Sequence, residues 1–170
     1  MNNIVYLLLG SNLGDSEKYI EEAKKSINGT IGLIKQTSSL YKTAAWGNTN
    51  QPDFMNQVVV VSSTFSPQGV LKKIIEIEAQ LDRIRIEKWA ARTIDIDILF
   101  YNEQCIDEAN LIIPHPYLHQ RNFTLAPLME IASDFIHPIF NKTIAELYAT
   151  LSDGLHVQRM AHINLTASTI

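Results

Sequence analysis

The chain has 170 residues, of which 46% are hydrophobic and 19% charged, and its formal net charge is −4. That length and composition suit one globular domain with a full core, and they give no sign of disorder or membrane insertion. The mild acidity argues against a general nucleic-acid binder, and a lone cysteine, Cys105, makes neither an intramolecular disulfide nor a thiolate metal site, so a cytoplasmic protein is expected.

An apolar strand is predicted over Ile4 to Leu9, too short to cross a bilayer, and it runs into the turn Gly10-Ser-Asn-Leu-Gly-Asp15. Tyr19, Ile20, Ala23 and Ile27 recur at helical spacing, with Asp15 or Ser16 as cap and Asn28-Gly29 as stop. Leu33 to Thr43 reads as a strand. A long polar connection follows through Trp46, Gly47, Asn48, Asn50 and Pro52, a candidate lid. Phe54 to Ser63 holds four consecutive valines, as a strand buried on both faces would. Ser66-Pro67 opens a second helix, with Val70, Leu71, Ile74, Ile75 and Leu81 on its predicted buried side.

The next strand completes the order βαββαβ, so the fold class expected is α+β: a ferredoxin-like antiparallel sheet with helices on one face. C-terminal additions follow, with short strands at Gln104 to Ile106 and Leu111 to Ile113 that would extend the sheet, and a helix at Leu125 to Ala132. Thr143-Ile-Ala-Glu146 forms a capping-box pattern ahead of a last helix. Beyond Gly154 the polar tail is expected to be loosely held, and residues 1–170 read as one domain.

Function is most legible in Arg92 to Phe100, Arg-Thr-Ile-Asp-Ile-Asp-Ile-Leu-Phe. On a strand Ile94, Ile96 and Ile98 would enter a core while Thr93, Asp95 and Asp97 share the other face. Residues i and i+2 stand roughly 6.5 to 7 Å apart, close enough for two carboxylates to hold one divalent cation or bridge two. A solvated amphipathic strand is the simpler reading of an isolated Asp-x-Asp. Here, however, Arg83, Arg85, Lys88 and Arg92 precede the pair against only Glu87. Cations beside paired carboxylates suit a metal-bound polyphosphate, because arginine makes paired hydrogen bonds to phosphate oxygens. No G-x-x-x-x-G-K-[ST] or G-x-G-x-x-G loop is present, so side chains must hold the phosphates, although Gly10 to Gly14 could lend backbone N–H groups.

Phe54 and Asn56 would share one strand face, where a flat heterocycle could stack on the ring and meet the amide at its edge. Pro114-His-Pro-Tyr-Leu-His-Gln-Arg-Asn-Phe123 adds a further aromatic, with His115 and Arg121 as anion contacts. His115 and His119 have a zinc-like spacing, but Pro116 between them and the lack of a third ligand make zinc improbable.

These segments together resemble the 6-hydroxymethyl-7,8-dihydropterin pyrophosphokinase family, ATP-dependent enzymes of folate biosynthesis. The resemblance rests on Gly10-Ser-Asn-Leu, Gln51-Pro-Asp-Phe-Met-Asn56, Trp89-Ala-Ala-Arg-Thr-Ile-Asp-Ile-Asp-Ile98, Pro114-His-Pro and Arg121-Asn-Phe123. It implies that Asp95 and Asp97 hold two Mg²⁺ ions, that Arg83 and Arg92 clamp the ATP triphosphate and act catalytically, and that His115 and Arg121 add phosphate contacts. Arg85 and Trp89 match a mobile catalytic loop, and Glu78 and Ile98 match positions near the nucleotide. Phe54 and Phe123 would sandwich the pterin, with Asn56, Thr43 and Ala44 at its edge. A monomer acting on ATP and 6-hydroxymethyl-7,8-dihydropterin, without nucleic acid or membrane, is expected.

The chain departs from that pattern in places. Phe54 stands where many members have Tyr, Ala90-Ala91 where a Gly-Pro pair is common, and Thr43-Ala44 where Thr-Pro is common. A metal-dependent nucleotidyltransferase could also carry Asp-x-Asp on such a sheet, but it would not need Phe54, Asn56 and Phe123 together. A non-catalytic RNA-binding domain would show an aromatic RNP pattern, which is absent.

Overall fold

A computed structural model describes residues 1–45, 50–81 and 92–161. Arg83, Arg85, Lys88 and Trp89 lie outside the described residues, as do Trp46, Gly47 and Asn48 of the predicted lid. The core elements are β1 (Asn3–Ser11), α1 (Ser16–Thr30), β2 (Gly32–Thr37), β3 (Tyr41–Thr43), β4 (Phe54–Ser63), α2 (Pro67–Gln80) and β5 (Asp95–Tyr101). β6 (Ile106–Glu108), β7 (Leu111–Ile113), α3 (Asn122–Ala132), β8 (Ile136–His137), β9 (Lys142–Thr143), α4 (Ile144–Ala149) and β10 (Val157–Arg159) follow.

The described strands form a six-stranded sheet in the order β10-β3-β4-β1-β5, with β2 also paired to β4. Central β1 runs antiparallel to β4 and β5, the arrangement expected of a βαββαβ core. The predicted strand Leu33 to Thr43 is broken at Ser38 to Leu40. There the Ser38 amide still donates to the Val58 carbonyl at 2.9 Å, while the Ser38 hydroxyl accepts from the Val58 amide at 3.0 Å, so a side chain supplies one of the two bonds of the pair.

α1 and α2 close one face of the sheet. Ile20, Ala23 and Ile27 of α1 and Val70, Ile74 and Ile77 of α2 pack on Val5, Leu7, Leu9, Val59, Val61, Ile96 and Ile98. Asp15 caps α1 through the Lys18 amide and Ser66 caps α2 through the Gly69 amide. α1 runs one residue past Asn28-Gly29, to Thr30, and the Ile31 amide closes it by donating to the Ile27 carbonyl. Asn28 accepts from the Ile34 amide and ties the helix end to β2. Ile75, predicted on the buried stripe of α2, is 48% exposed. The stripe follows Val70, Ile74, Ile77 and Glu78, and a helical period of 3.6 puts Ile75 on its flank.

The other face is covered in part by α3 and α4, whose Leu125, Leu128, Ile144 and Leu147 bury Leu8, Val58, Leu99 and Phe100. The capping box forms as read, with the Thr143 hydroxyl accepting from the Glu146 amide and the Glu146 carboxylate from the Thr143 amide. β6 and β7 make a separate two-stranded hairpin rather than extending the main sheet. Of the tail after Gly154, expected to be loosely held, Val157–Arg159 enters the sheet as β10, pairing antiparallel with β3, and residues 162–170 lie outside the described residues. Arg159 there donates to Ser39 and Glu130, and Glu130 also accepts from the Tyr41 hydroxyl and the Ser39 amide. No helix among the described residues is long and apolar enough to cross a membrane.

Candidate active site

One cavity lies on the α3 face, where the apolar cover stops. Leu8 and Gly10 from β1, Phe54 and Asn56 from β4, Thr43 and Ala44 from the end of β3, and Asp95 and Asp97 from β5 line it. Arg92 closes one side, and Arg121 and Phe123 come in from the start of α3. Strand register explains the grouping, since Gly10 stands opposite Asn56 on one side and Asp95 on the other, while Leu8 faces Asp97. A Cβ on Gly10 would lie 3.0 Å from the Asn56 amide oxygen, so glycine leaves room for the amide at the cavity floor. Asn56 is only 3% exposed, and its Nδ2 has no hydrogen-bond partner among the described residues. A buried amide donor left open beside Phe54 fits a polar, flat ligand edge.

Asp95 and Asp97 share this face, and Ile96 and Ile98 enter the opposite core, as their alternation predicts. Thr93 departs from that pattern. It stands in a bend before the strand begins, and its hydroxyl donates to the Leu81 carbonyl at the end of α2. Arg92 meets Asp95 at 2.6 Å. Arg121 is buried, with its guanidinium 5.1 Å from the Tyr117 ring centre and 5.5 Å from that of Phe123. Burial works against the Arg121 charge, and the fields of Asp97 and Asp95 work for it. The charges of Arg92 and Arg121 thus act on the two carboxylates and offset the repulsion of like charges two residues apart.

Asp97 also borders a second, shallower depression around the free edge of β5, lined by Leu71, Ile96, Ile98, Leu111, Ile112, His115 and Pro116 among others. The His115 amide donates to the Leu99 carbonyl of that edge, which docks the loop after β7 and sets the imidazole beside Asp97. His115 Nδ1 accepts from the Tyr117 amide, leaving the proton on Nε2, 4.0 Å from the Asp97 carboxylate. Burial, and then the nearby Arg121, push this imidazole down to about 4 despite the upward pull of Asp95. His115 is thus a neutral N–H donor near pH 7, and its approach to Asp97 is not an ion pair.

Glu78, matched to a position near the nucleotide, lines neither cavity. It is 3% exposed on the inner side of α2 and accepts from the Ile96 amide at 2.9 Å, fixing β5 between its two aspartates. Asn12 had no role in the sequence reading beyond the glycine-containing turn. Its amide donates to the Arg92 carbonyl, its Oδ1 accepts from the Arg92 amide, and its Nδ2 donates to Gln51 and the Pro52 carbonyl. A buried Asn directly after an apolar strand was the available signal. Leu8 was likewise missed as a site neighbour, and Gly10, read as an anion contact in its turn, proves to line the cavity floor beside Asn56, because cross-strand register is invisible in the chain order.

The 7,8-dihydro-6-hydroxymethylpterin-pyrophosphokinase family model matches residues 6–133. The chain belongs to this family. It is 41% identical over 142 residues to the 2-amino-4-hydroxy-6-hydroxymethyldihydropteridine pyrophosphokinase of Aquifex aeolicus, covering 84% of this chain and 88% of that protein. The Bacillus subtilis protein of the same name is 39% identical over 132 residues, 77% of this chain and 79% of that one. A crystal structure of Plasmodium falciparum HPPK-DHPS with pteroate superposes with a TM-score of 0.71 at 20% identity, over 88% of this chain. The present chain spans 42% of that longer one, and the likeness concerns the fold. Family membership makes the chain an enzyme of the pyrophosphokinase class.

Proposed function

We propose that the chain transfers the pyrophosphoryl group of MgATP to the hydroxymethyl oxygen of 6-hydroxymethyl-7,8-dihydropterin, giving the pterin diphosphate and AMP in folate biosynthesis. The observation that carries this reading is the position of Asp97, which borders both the aromatic and amide cavity and the depression at the edge of β5. A heterocycle in the first and a nucleotide in the second would bring their reacting groups together at the aspartates.

In the first cavity Phe54 and Phe123 flank the pterin, and Asn56, Thr43 and Ala44 meet its edge. In the second, Ile98 and its apolar neighbours take part of the nucleotide while His115 donates Nε2–H to a phosphate oxygen. Arg92 and Arg121 bind the polyphosphate, and Arg92 exchanges its present contact with Asp95 for phosphate oxygens. The donor set at Asp95 and Asp97 is all oxygen and partly exposed, which fits Mg²⁺, a cation commonly held by one or two carboxylates together with substrate phosphates. Two such ions are proposed there, and when bound they lower the pKa of the attacking hydroxyl and neutralise charge on the bridging oxygens.

The hydroxymethyl oxygen forms a bond to the β-phosphorus and gives up its proton to solvent as the bond from that phosphorus to the α,β-bridging oxygen breaks, and AMP leaves with the electron pair. No protein nucleophile takes part. The residues act by positioning and by stabilising charge on the leaving side. A monomer in the cytoplasm suffices for this chemistry. The test is to incubate the purified protein with MgATP and 6-hydroxymethyl-7,8-dihydropterin and follow AMP. Pterin-dependent AMP is expected. ADP instead of AMP, AMP without pterin, or no turnover overturns the proposal.

A further inference from the structure

The helix that carries Phe123 into the cavity lacks a cap of its own. α3 begins at Asn122, and the side chain of the residue before it, Arg121, makes no capping hydrogen bond. The Asn122 amide instead donates to Asp153 Oδ2 at 2.9 Å, from thirty-one positions further along the chain. Asp153 Oδ1 accepts from the Leu155 amide at 3.0 Å, which folds the run back on itself, and the Leu155 carbonyl accepts from Asn122 Nδ2 at 3.1 Å. One residue later the His156 carbonyl accepts from the Thr43 hydroxyl at 3.2 Å, and Val157 then pairs with Thr43 in the ladder.

A single short run thus grips both walls of the cavity, α3 at Asn122 beside Phe123 and β3 at Thr43 beside Phe54. Asp153 and His156 are three steps apart, and three residues reach at most roughly 10 to 11 Å when extended. The walls cannot move apart beyond that reach, plus the side-chain lengths at its ends, without breaking one of these hydrogen bonds.

We propose that residues 153–157 act as a strap that sets the spacing of the cavity walls, and that Asp153 is a positioning residue for the heterocyclic substrate. This rests on the assignment of Phe54 and Phe123 to that substrate. Asp153 caps the helix with charge as well as with a lone pair, since a carboxylate at a helix N-terminus is favoured by the dipole. It touches no reacting atom. Its loss lets the first turn of α3 fray, and Phe123 drifts from its stacking distance while Asp95, Asp97 and His115 on β5 and its edge stay in place.

The test compares the full-length protein with Asp153→Ala and Asp153→Asn, measuring kcat and the KM for each substrate by AMP formation. Hydrogen exchange is followed in residues 41–45 and 122–125. Asp153→Ala is expected to raise the pterin KM roughly tenfold, the order set by losing a helix cap, with the MgATP KM changed less than about twofold. Asp153→Asn, which keeps one acceptor oxygen, should recover part of the loss, and exchange should quicken in both segments of the Ala variant. An unchanged pterin KM, or equal rises in both KM values in step with a fall in melting temperature, overturns the strap. Should the wild-type protein fail to turn over pterin at all, the functional reading falls by itself. The strap is then decided by exchange alone, quickened in both segments if it holds and unchanged if it does not.

Discussion

The same strands present two unlike faces. Toward α1 and α2, Val5, Leu7, Leu9, Val59, Val61, Ile96 and Ile98 meet an apolar cover made by the helices of the βαββαβ core, which thins only at the outer edge of β5 where Ile96 and Ile98 border the second depression. Toward α3 and α4, Leu8, Val58, Leu99 and Phe100 are covered at one end, and at the other Gly10, Asn56, Asp95 and Asp97 line a cavity. One residue along a strand is the whole distance between the two environments, because successive side chains point to opposite faces, except at the register shift opposite Tyr6 and Leu7 that puts Leu99 and Phe100 on one side. The closed face holds the strands rigid, and the open face uses that rigidity to place groups which would otherwise repel each other or leave a buried polar atom open. Function has been put where the cover is incomplete, and the elements that partly complete the cover also bring Arg121 and Phe123 to the site.

This contrast can be broken or sharpened by substitutions on each side. The largest effect is expected from Asp97→Ala or Asp95→Ala, which should lower the transfer rate by roughly a thousandfold or more through loss of metal-assisted charge stabilisation. Their melting temperatures should stay close to that of the wild type, since both carboxylates lie on the partly exposed face. A variant of either aspartate with near wild-type turnover would reject the metal assignment.

On the closed face, Ile74→Ala should cost about 2 to 5 kcal/mol of stability by denaturant unfolding, with the KM values unchanged below the new melting temperature. Phe123→Ala should behave in the opposite way. It is expected to weaken pterin binding by about 1 to 3 kcal/mol, as loss of an aromatic stacking partner does, and to leave binding of a non-hydrolysable nucleotide nearly unaltered in calorimetry. If the two variants showed the same pattern, the division of labour between the faces would be wrong.

The smallest effect concerns Glu130, which joins α3 to β3 and β10. Burial pushes its carboxyl up, but Tyr41, Ser39 and Arg159 outweigh that and hold it below its ordinary value of 4.5. A depressed folded pKa means that the contribution to stability is fully present above about 4.5 and is lost as pH falls through the folded value. The melting temperature should therefore fall on acidification below that point. Glu130→Gln should be less stable than the wild type at pH 7 and should show a shallower acid decline. An identical acid limb in both proteins would remove Glu130 from the account.

Much of the molecule was legible in its sequence. Phe54 to Ser63 was read to its ends because four valines allow little else, and the Ser66-Pro67 and Thr143 to Glu146 helix starts were readable because caps are local chemistry. The pairing of Asp95 with Asp97 and of Phe54 with Asn56 came from strand alternation, and the neighbouring cations from the run of charge before the aspartates, neither of which needs tertiary information. Ile75 was misplaced because two neighbouring isoleucines compete for one helical stripe, and periodicity alone does not say which loses. Glu78, which the family resemblance puts near the nucleotide, is buried and accepts from the Ile96 amide, a contact that chain order does not reveal.

The sequence by itself determined the order of elements, the two-sided character of β5 and the residue types at the site, because each follows from spacing along the chain. Only the tertiary structure decided that Gly10 would lie between Asn56 and Asp95, that Asp97 would border two cavities, and that Val157–Arg159 would pair with β3 while Asp153 and His156 accept from Asn122 and Thr43. Those outcomes depend on strand register and on hydrogen bonds between residues as far apart as Thr43 and His156. Such pairings are chosen by the packing of the whole sheet and leave no periodic trace in the chain.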